Sequence, residues 1–535
     1  MILDIKKIKK SILIVLERFF LNYEVKRYIQ LNKFRFKRNR SDLKNIILID
    51  FLDSYPINET YAYIANNLAF KYNASIKYFR FEYDKYDLLT FFLNYKTKKI
   101  YNSFNANYGF SYNIKYFFSS LIKTYEIFKN IKSKQDVVNL VVKDLNIGDL
   151  VYDTYLRKFN QKTLNIKSYK FFFILFQTII ILKSIENYFS KNNVKAVIPG
   201  DVSYIYSGLV AKYAIKNKIK VYSIIETNGF LITELQNVNY YRRMPYWEYS
   251  KKFAKFSYDE QKVKIKRALN CLERRLSGKK DSTLVYMAES TYKNLNNNNN
   301  VLLNTNKLKV LVALHDFFDS PHIYRYMIFP DFWEWIIYTL NVAKDTDFEW
   351  YIKPHPNALP QNKKIISELK EKYKDCENIF FISPFISNLQ LINEDINAVV
   401  TVYGSIGHEF AYFNKLVINA GDNPHIAYNF NIHAKNLDDY TFYLKNIDKL
   451  SLIFDKNEIG SFFYMHYLYY RPLKLLNPVY PPTDYINYVN TIQNLTSKQK
   501  RVFYHKNSLT LKYFIEKYNV KNDILINNYL NKVLK

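Results

Sequence analysis

Hydrophobic positions in this chain follow two rhythms. One is the short, continuous, β-branched run: Asn45–Asp50, Ser75–Phe79, Lys195–Ile198, Lys220–Ile225, Leu308–Leu314, Phe348–Ile352, Ile379–Ile382, Ala398–Val402 and Leu416–Asn419. The other is the helical spacing of the stretches between them, over Asn58–Lys71, Tyr206–Asn217, Pro330–Ala343, Gln361–Tyr373, Ser387–Ile392 and Ile406–Phe413. A run without polar alternation has to be covered on both faces, as in a parallel sheet flanked by helices. Strand and helix in alternation predict α/β units.

The alternation occurs twice, with a break between, so the pattern predicts two Rossmann-like lobes. Residues 1–44 form a basic N-terminal extension, 45–240 the first lobe, and 241–306 a helical connection and hinge. Residues 307–440 form the second lobe and 441–535 a helical C-terminal region. In the extension Ile2, Ile5, Ile8, Ile12, Val15, Leu16 and Phe19 recur at helical spacing, and residues 1–40 hold twelve Lys/Arg against three Asp/Glu. Such a helix either packs on its own domain or lies in a membrane interface. Asn296–Asn300 is a polar run suited to the hinge. Residues 80–190 read as mostly helical, dense in Tyr and Phe, with no chemistry standing out. Within them Phe171–Leu182 is shorter than the roughly 20 residues that span a bilayer, and reads as a buried helix or strand.

Composition narrows the class. With 535 residues, 48% hydrophobic and 24% charged, the chain has material for two or three cored domains. Two cysteines, Cys271 and Cys376, give neither a disulfide framework nor metal spacing, which fits a reducing cytoplasm. The net charge of +30 favours an anionic partner, although a chain rich in Lys, Asn, Ile and Tyr carries some of that excess by composition alone. The basic residues are dispersed and no nucleic-acid motif is present, so nucleic acid is not the expected partner. The expected location is cytoplasmic, with peripheral attachment at the inner face of the plasma membrane as an extension of it.

Candidate chemistry collects in the second lobe, where six of the eight histidines lie between His315 and His433. Three predicted strands there end in polar clusters, the usual ligand position in open α/β sheets. The first cluster runs from His315 to His322 and includes Asp319; its spacing suits substrate contacts or acid–base work better than a metal. The second is Lys353-Pro-His-Pro356, where two prolines hold one imidazole outside any helix. The third is Gly404-Ser-Ile-Gly-His-Glu409, a strand-to-helix turn. Gly404 and Gly407 let a phosphate approach the backbone there, Ser405 offers a hydroxyl, and Glu409 can hold a ribose diol. In the first lobe Asp201 and Glu226 follow strand ends, and either can serve as a base or simply as a cap or loop carboxylate. No Gly-x-Gly-x-x-Gly, Walker loop or nucleophile elbow occurs.

These segments, with Phe329–Trp335 and Lys415–Ile418, resemble bacterial surface-carbohydrate and capsular-polysaccharide biosynthesis proteins. They look like glycosyltransferases of the two-Rossmann (GT-B) kind, similar to the Kdo-, sialyl- and polyol-phosphate transferases. The resemblance covers roughly 195–430 and is strongest over 309–420. It implies that His355, Ser405 and Glu409 bind the donor nucleotide, and that no cofactor or bound metal is needed beyond a nucleotide-activated sugar as substrate. The resulting expectation places Lys353, His355, Gly404, Ser405, Gly407 and Glu409 at the donor, and Asp201, His315, Asp319 and His322 at the chemistry. The acceptor would be a lipid-linked or polymeric glycan, with an anionic membrane surface as a further partner. The alternatives are a polyol-phosphate transferase, a nucleotide-sugar epimerase, or a non-catalytic glycan-assembly protein on the same fold.

Overall fold

Apolar runs with no polar side chain to present to water are stable only when covered on both faces, and this requirement builds two sheets. A computed structural model describes residues 23–37, 43–81, 95–225, 231–237, 245–279, 290–292, 300–323, 326–356, 358–469, 515 and 520–534. The periodic positions Ile2–Phe19, Glu226 and most of the polar run after Asn296 lie outside the described residues.

In chain order the first strands are β1 (Asn45–Asp50), β2 (Ala74–Phe79) and β3 (Ala106–Phe110). A two-residue hairpin follows, β4 (Val141–Val142) and β5 (Leu145–Asn146). Then come β6 (Asn193–Ile198), β7 (Lys220–Ile225) and β8 (Leu231–Glu234). The second set is β9 (Lys309–Ala313), β10 (Glu349–Lys353), β11 (Ile379–Phe381), β12 (Ala398–Thr401), β13 (Leu416–Asn419) and β14 (Ile432–His433). The sheets are ordered β3-β2-β1-β6-β7-β8 and β11-β10-β9-β12-β13-β14. Both therefore run third, second, first, fourth, fifth, sixth, the doubly wound Rossmann order, which reverses between first and fourth strand. All neighbours pair in parallel except β7 with β8. The α/β class with two Rossmann-like units is as the alternation predicts.

The units are not contiguous. One is drawn from residues 1–128, 175–241 and 472–535, the other from 129–174 and 242–471. The segment 45–240, expected as a single lobe, thus contributes to both. Residues 129–174 join the second unit through a buried carboxylate. Asp331 caps the Phe332–Ala343 helix by accepting the Glu334 N–H at 2.8 Å, and also accepts Tyr152 Oη at 2.6 Å and Thr163 Oγ1 at 2.5 Å. Lys134 pairs with Glu334, and the Lys162 ammonium lies 3.6 Å from the centre of the Trp333 ring.

In the first unit the helix Tyr55–Lys71 lies in a core with Ile47, Ile49, Ala196 and Ile198, and the far end of the chain joins it through Ile526, Leu530 and Leu534. Asn67 Nδ2 donates to Asn527 Oδ1 at 2.9 Å and Lys71 Nζ to the Leu534 carbonyl at 2.7 Å. The Tyr169–Lys191 helix is, among the described residues, the one long and apolar enough to cross a membrane; more than half of its apolar stretch is buried, as in a core helix. It is longer than the run Phe171–Leu182 indicates.

Arg35, on the Tyr23–Arg35 helix, holds Glu59 at 2.7 and 2.9 Å, both side chains almost wholly buried. Removing one partner of a buried pair strands the other charge. Glu59→Ala is expected to destabilise the first unit by about 3–5 kcal/mol, read by denaturant unfolding; a loss under about 1 kcal/mol would contradict it.

Candidate functional site

The reversal of strand order in the second sheet falls between β9 and β12, and the chain leaves their carboxyl ends in opposite directions. His315 stands there, two residues beyond β9. Its Nε2 accepts the Tyr403 N–H at 3.3 Å and lies 3.1 Å from Thr401 Oγ1 at the end of β12. An imidazole nitrogen accepting from an amide carries no proton, so the neutral ring keeps its hydrogen on Nδ1. The ring stacks on Phe332 at 4.8 Å and meets Tyr403 at 4.7 Å. This burial, with His355 nearby, pushes its pKa down to about 3. The residue expected as an acid–base catalyst is thus a neutral N–H donor through the physiological range.

Gly404 follows on the β12 side with φ +136°, a backbone conformation that side chains disfavour. A Cβ there would have one atom within 4 Å, His315 Cε1 at 3.9 Å. The space beside this turn therefore opens towards the imidazole. Ser405, next in line, has helical dihedrals and its hydroxyl caps nothing, so it is free to meet a ligand.

His355 follows β10, half-buried. Burial lowers its pKa, while Asp316 and Asp319 oppose the shift. Asp316 stitches the two loops together. Its Oδ1 accepts from Phe318 N and Asn362 Nδ2, and its Oδ2 from Leu359 N at 2.9 Å. Asp319 is exposed, with Oδ1 accepting the Ser320 N–H at 3.0 Å. The structure thus brings His315, His355 and Gly404–Ser405 to one end of one sheet.

Four candidates are placed otherwise. His322 turns to the Gly148–Phe159 helix, where its Nδ1 lies 2.6 Å from the wholly buried Asp153 carboxylate and its ring meets Tyr152. The sequence grouping of His315, Asp319 and His322 is therefore split, because residues 129–174 supply a partner that spacing could not reveal. Lys353 points inward, its ammonium donating to the Ile386 carbonyl at 2.7 Å and to Asn388 Oδ1. Burial lowers its pKa to about 8. Glu409 is an internal tie rather than a ribose ligand: at 3% exposure it accepts Arg275 Nη1 at 3.2 Å and Tyr292 Oη at 3.0 Å. Gly407 makes room for packing rather than for phosphate, since a Cβ would meet His425 Cε1 at 2.5 Å. His425 Nε2 in turn lies 3.1 Å from His408 Nδ1, and burial holds both rings well below their usual pKa.

Asp201 belongs to the first unit, exposed just beyond β6, with Oδ1 accepting the Ser203 N–H at 2.9 Å. Beside it is a residue that sequence reading passed over. Asp50 ends β1, buried, accepting Phe51 N at 2.8 Å, Gly200 N at 3.2 Å and the Ser207 hydroxyl. Burial pushes its pKa up to about 6. Asp50 latches the strand-order reversal of the first sheet. The available signal was an acidic residue closing an otherwise apolar strand.

No protein-family model matches this chain, and no curated protein does. Among solved structures it is similar to Thermosulfurimonas dismutans KpsC, a beta Kdo 2,4 transferase, at 12% identity over 51% of this chain and 81% of that one, with a TM-score of 0.32. It is also similar to Methanocaldococcus jannaschii UDP-GlcNAc 2-epimerase, at 13% identity over 78% and 98%, with a TM-score of 0.27. A glycosyltransferase from Rickettsia africae gives 10%, 92% and 100%, and 0.24. At such identities and TM-scores these likenesses bear on neither substrate nor reaction.

Two outcomes are expected from the site's geometry. The His315 ring should show no NMR titration between pH 5 and 8. A ring folded at about 3 and unfolded at 6.5 contributes stability that is complete above 6.5 and lost as pH falls towards 3. Titration near 6.5 would contradict the burial. Gly407→Ala should cost about 1–3 kcal/mol through the clash with His425, measured by denaturant unfolding; an unchanged midpoint would show that His425 yields.

Proposed function

We propose that the chain is a glycosyltransferase that moves a sugar from a nucleotide-activated donor onto a bacterial surface polysaccharide. The observation that carries the reading is the Gly404 turn, open beside the neutral N–H donor His315 at the strand-order reversal. A turn of this kind admits a donor phosphate to the backbone, and buried neutral donors stabilise an oxyanion without bringing a competing charge. His315 Nδ1–H, His355 and the Ser405 hydroxyl then share the charge that develops as the bond between anomeric carbon and phosphate oxygen breaks. The electron pair leaves with the nucleotide. The acceptor hydroxyl attacks the anomeric carbon and gives its proton to a general base. Lys353 and Glu409 support this end of the sheet from within. The donor sugar and the glycan acceptor are open choices within this class.

The same three groups suit a nucleotide-sugar epimerase, because both reactions begin by expelling the nucleotide. They separate without an acceptor: an epimerase converts the donor sugar, whereas a transferase leaves most of it intact.

A thermal-shift series with CMP, CDP, UDP, GDP and their sugar conjugates, with and without EDTA, tests the donor site. One nucleotide class is expected to stabilise the protein, and His355→Ala to weaken that nucleotide by about tenfold or more. No shift with any nucleotide, or equal binding by wild type and His355→Ala, would overturn the assignment.

A further inference from the structure

The helix Phe117–Asn130 is turned inside out. Its buried positions are Ser120 and Thr124, and Thr124 Oγ1 returns its hydrogen bond to the Ser120 carbonyl at 2.7 Å. The large apolar side chains face solvent: Phe118 is 77% exposed, Ile122 64% and Tyr125 61%, with Ile114 one turn earlier at 84%. Phe117 and Leu121 are partly exposed at the flank. Positions 114, 118, 122 and 125 fall on one helical stripe, about 16 Å long at 1.5 Å per residue. A helix that only completes a core would put its small residues out and its large ones in. A contiguous exposed apolar face of this size marks a binding surface.

Charge selects the occupant. Lys115 and Lys123 border this stripe on one side, where Lys183 also reaches Ser119 Oγ at 2.9 Å. Within Phe117–Phe128 the one acidic residue is Glu126, which Lys123 pairs at 3.0 Å. A second copy of a chain with net charge +30 would be repelled, whereas an anionic surface is attracted. We propose that the Phe117–Asn130 helix docks on an anionic lipid bilayer, with Phe118, Ile122 and Tyr125 in the interface and the lysines among the headgroups. This surface lies on the first unit and does not depend on the donor chemistry of the second.

The test is co-sedimentation of the full chain with vesicles of phosphatidylcholine alone and of an equal mixture with phosphatidylglycerol, at low and high salt. Wild type should sediment with the anionic vesicles and less so at high salt. A variant combining Phe118→Ser, Ile122→Ser and Tyr125→Ser should partition at least about tenfold more weakly. Its melting temperature and any nucleotide response should be unchanged, since the three side chains are exposed. Three results would overturn the proposal: wild type that ignores anionic vesicles, a variant that sediments equally well, or a variant that loses self-association while keeping its vesicle binding. A variant that unfolds is replaced by Phe118→Ser alone, held to the same comparison at about threefold.

Discussion

Where β9 and β12 lie side by side, the chain departs from their carboxyl ends in opposite directions, and the backbone beyond β12 has no strand neighbour to accept its N–H groups. A buried amide without a partner costs about 1–3 kcal/mol. His315 Nε2 meets that cost at Tyr403. The same bond fixes the tautomer, and Phe332 and Tyr403 fix the plane of the ring. The conformation of Gly404, the orientation of the imidazole and the open space between them are therefore consequences of one requirement of the fold. A ligand that binds there meets groups already held in place.

The first sheet meets the same requirement differently. At the reversal between β1 and β6 it uses a carboxylate, Asp50, which accepts the backbone N–H groups of Phe51 and Gly200 and the Ser207 hydroxyl. The two sheets share strand order but not the chemistry at their reversals. One presents a hydrogen-bond donor; the other buries an acceptor and leaves the exposed Asp201 beside it.

Much of the fold could be read from the chain, because continuous β-branched runs have few alternatives. Asn45–Asp50, Lys220–Ile225 and Leu416–Asn419 are strands at the predicted residues, and the boundaries of the other predicted strands moved by no more than two. β3 escaped notice because Ala106–Phe110 contains an asparagine and Gly109, and its apolar character is weak. Strand-end position also foretold that His315, His355 and Gly404 share one end of the sheet, since it follows from local pattern. What could not be read was which side chains face inward. Lys353 and Glu409 resemble ligand residues in one dimension, but Asn388, Arg275 and Tyr292 claim them in three. Asp153, the partner of His322, comes from a stretch with no visible chemistry.

The interleaving of the two units has a further consequence during synthesis. The helix Val520–Val533 supplies Ile526 and Leu530 to a core whose other members begin near Val25. Asn67 and its partner Asn527 are 460 residues apart. At roughly 5–20 residues per second, the ribosome takes about 20–90 s to deliver the second after the first. For that interval the face of the Tyr55–Lys71 helix that this late segment covers has no partner from its own chain. Meanwhile residues 129–174, already made, must wait for Asp331 before their buried hydroxyls find an acceptor. Neither unit can close as it emerges, so the order of translation, rather than the stability of the finished fold, sets the period when this chain is most open to aggregation and to chaperones.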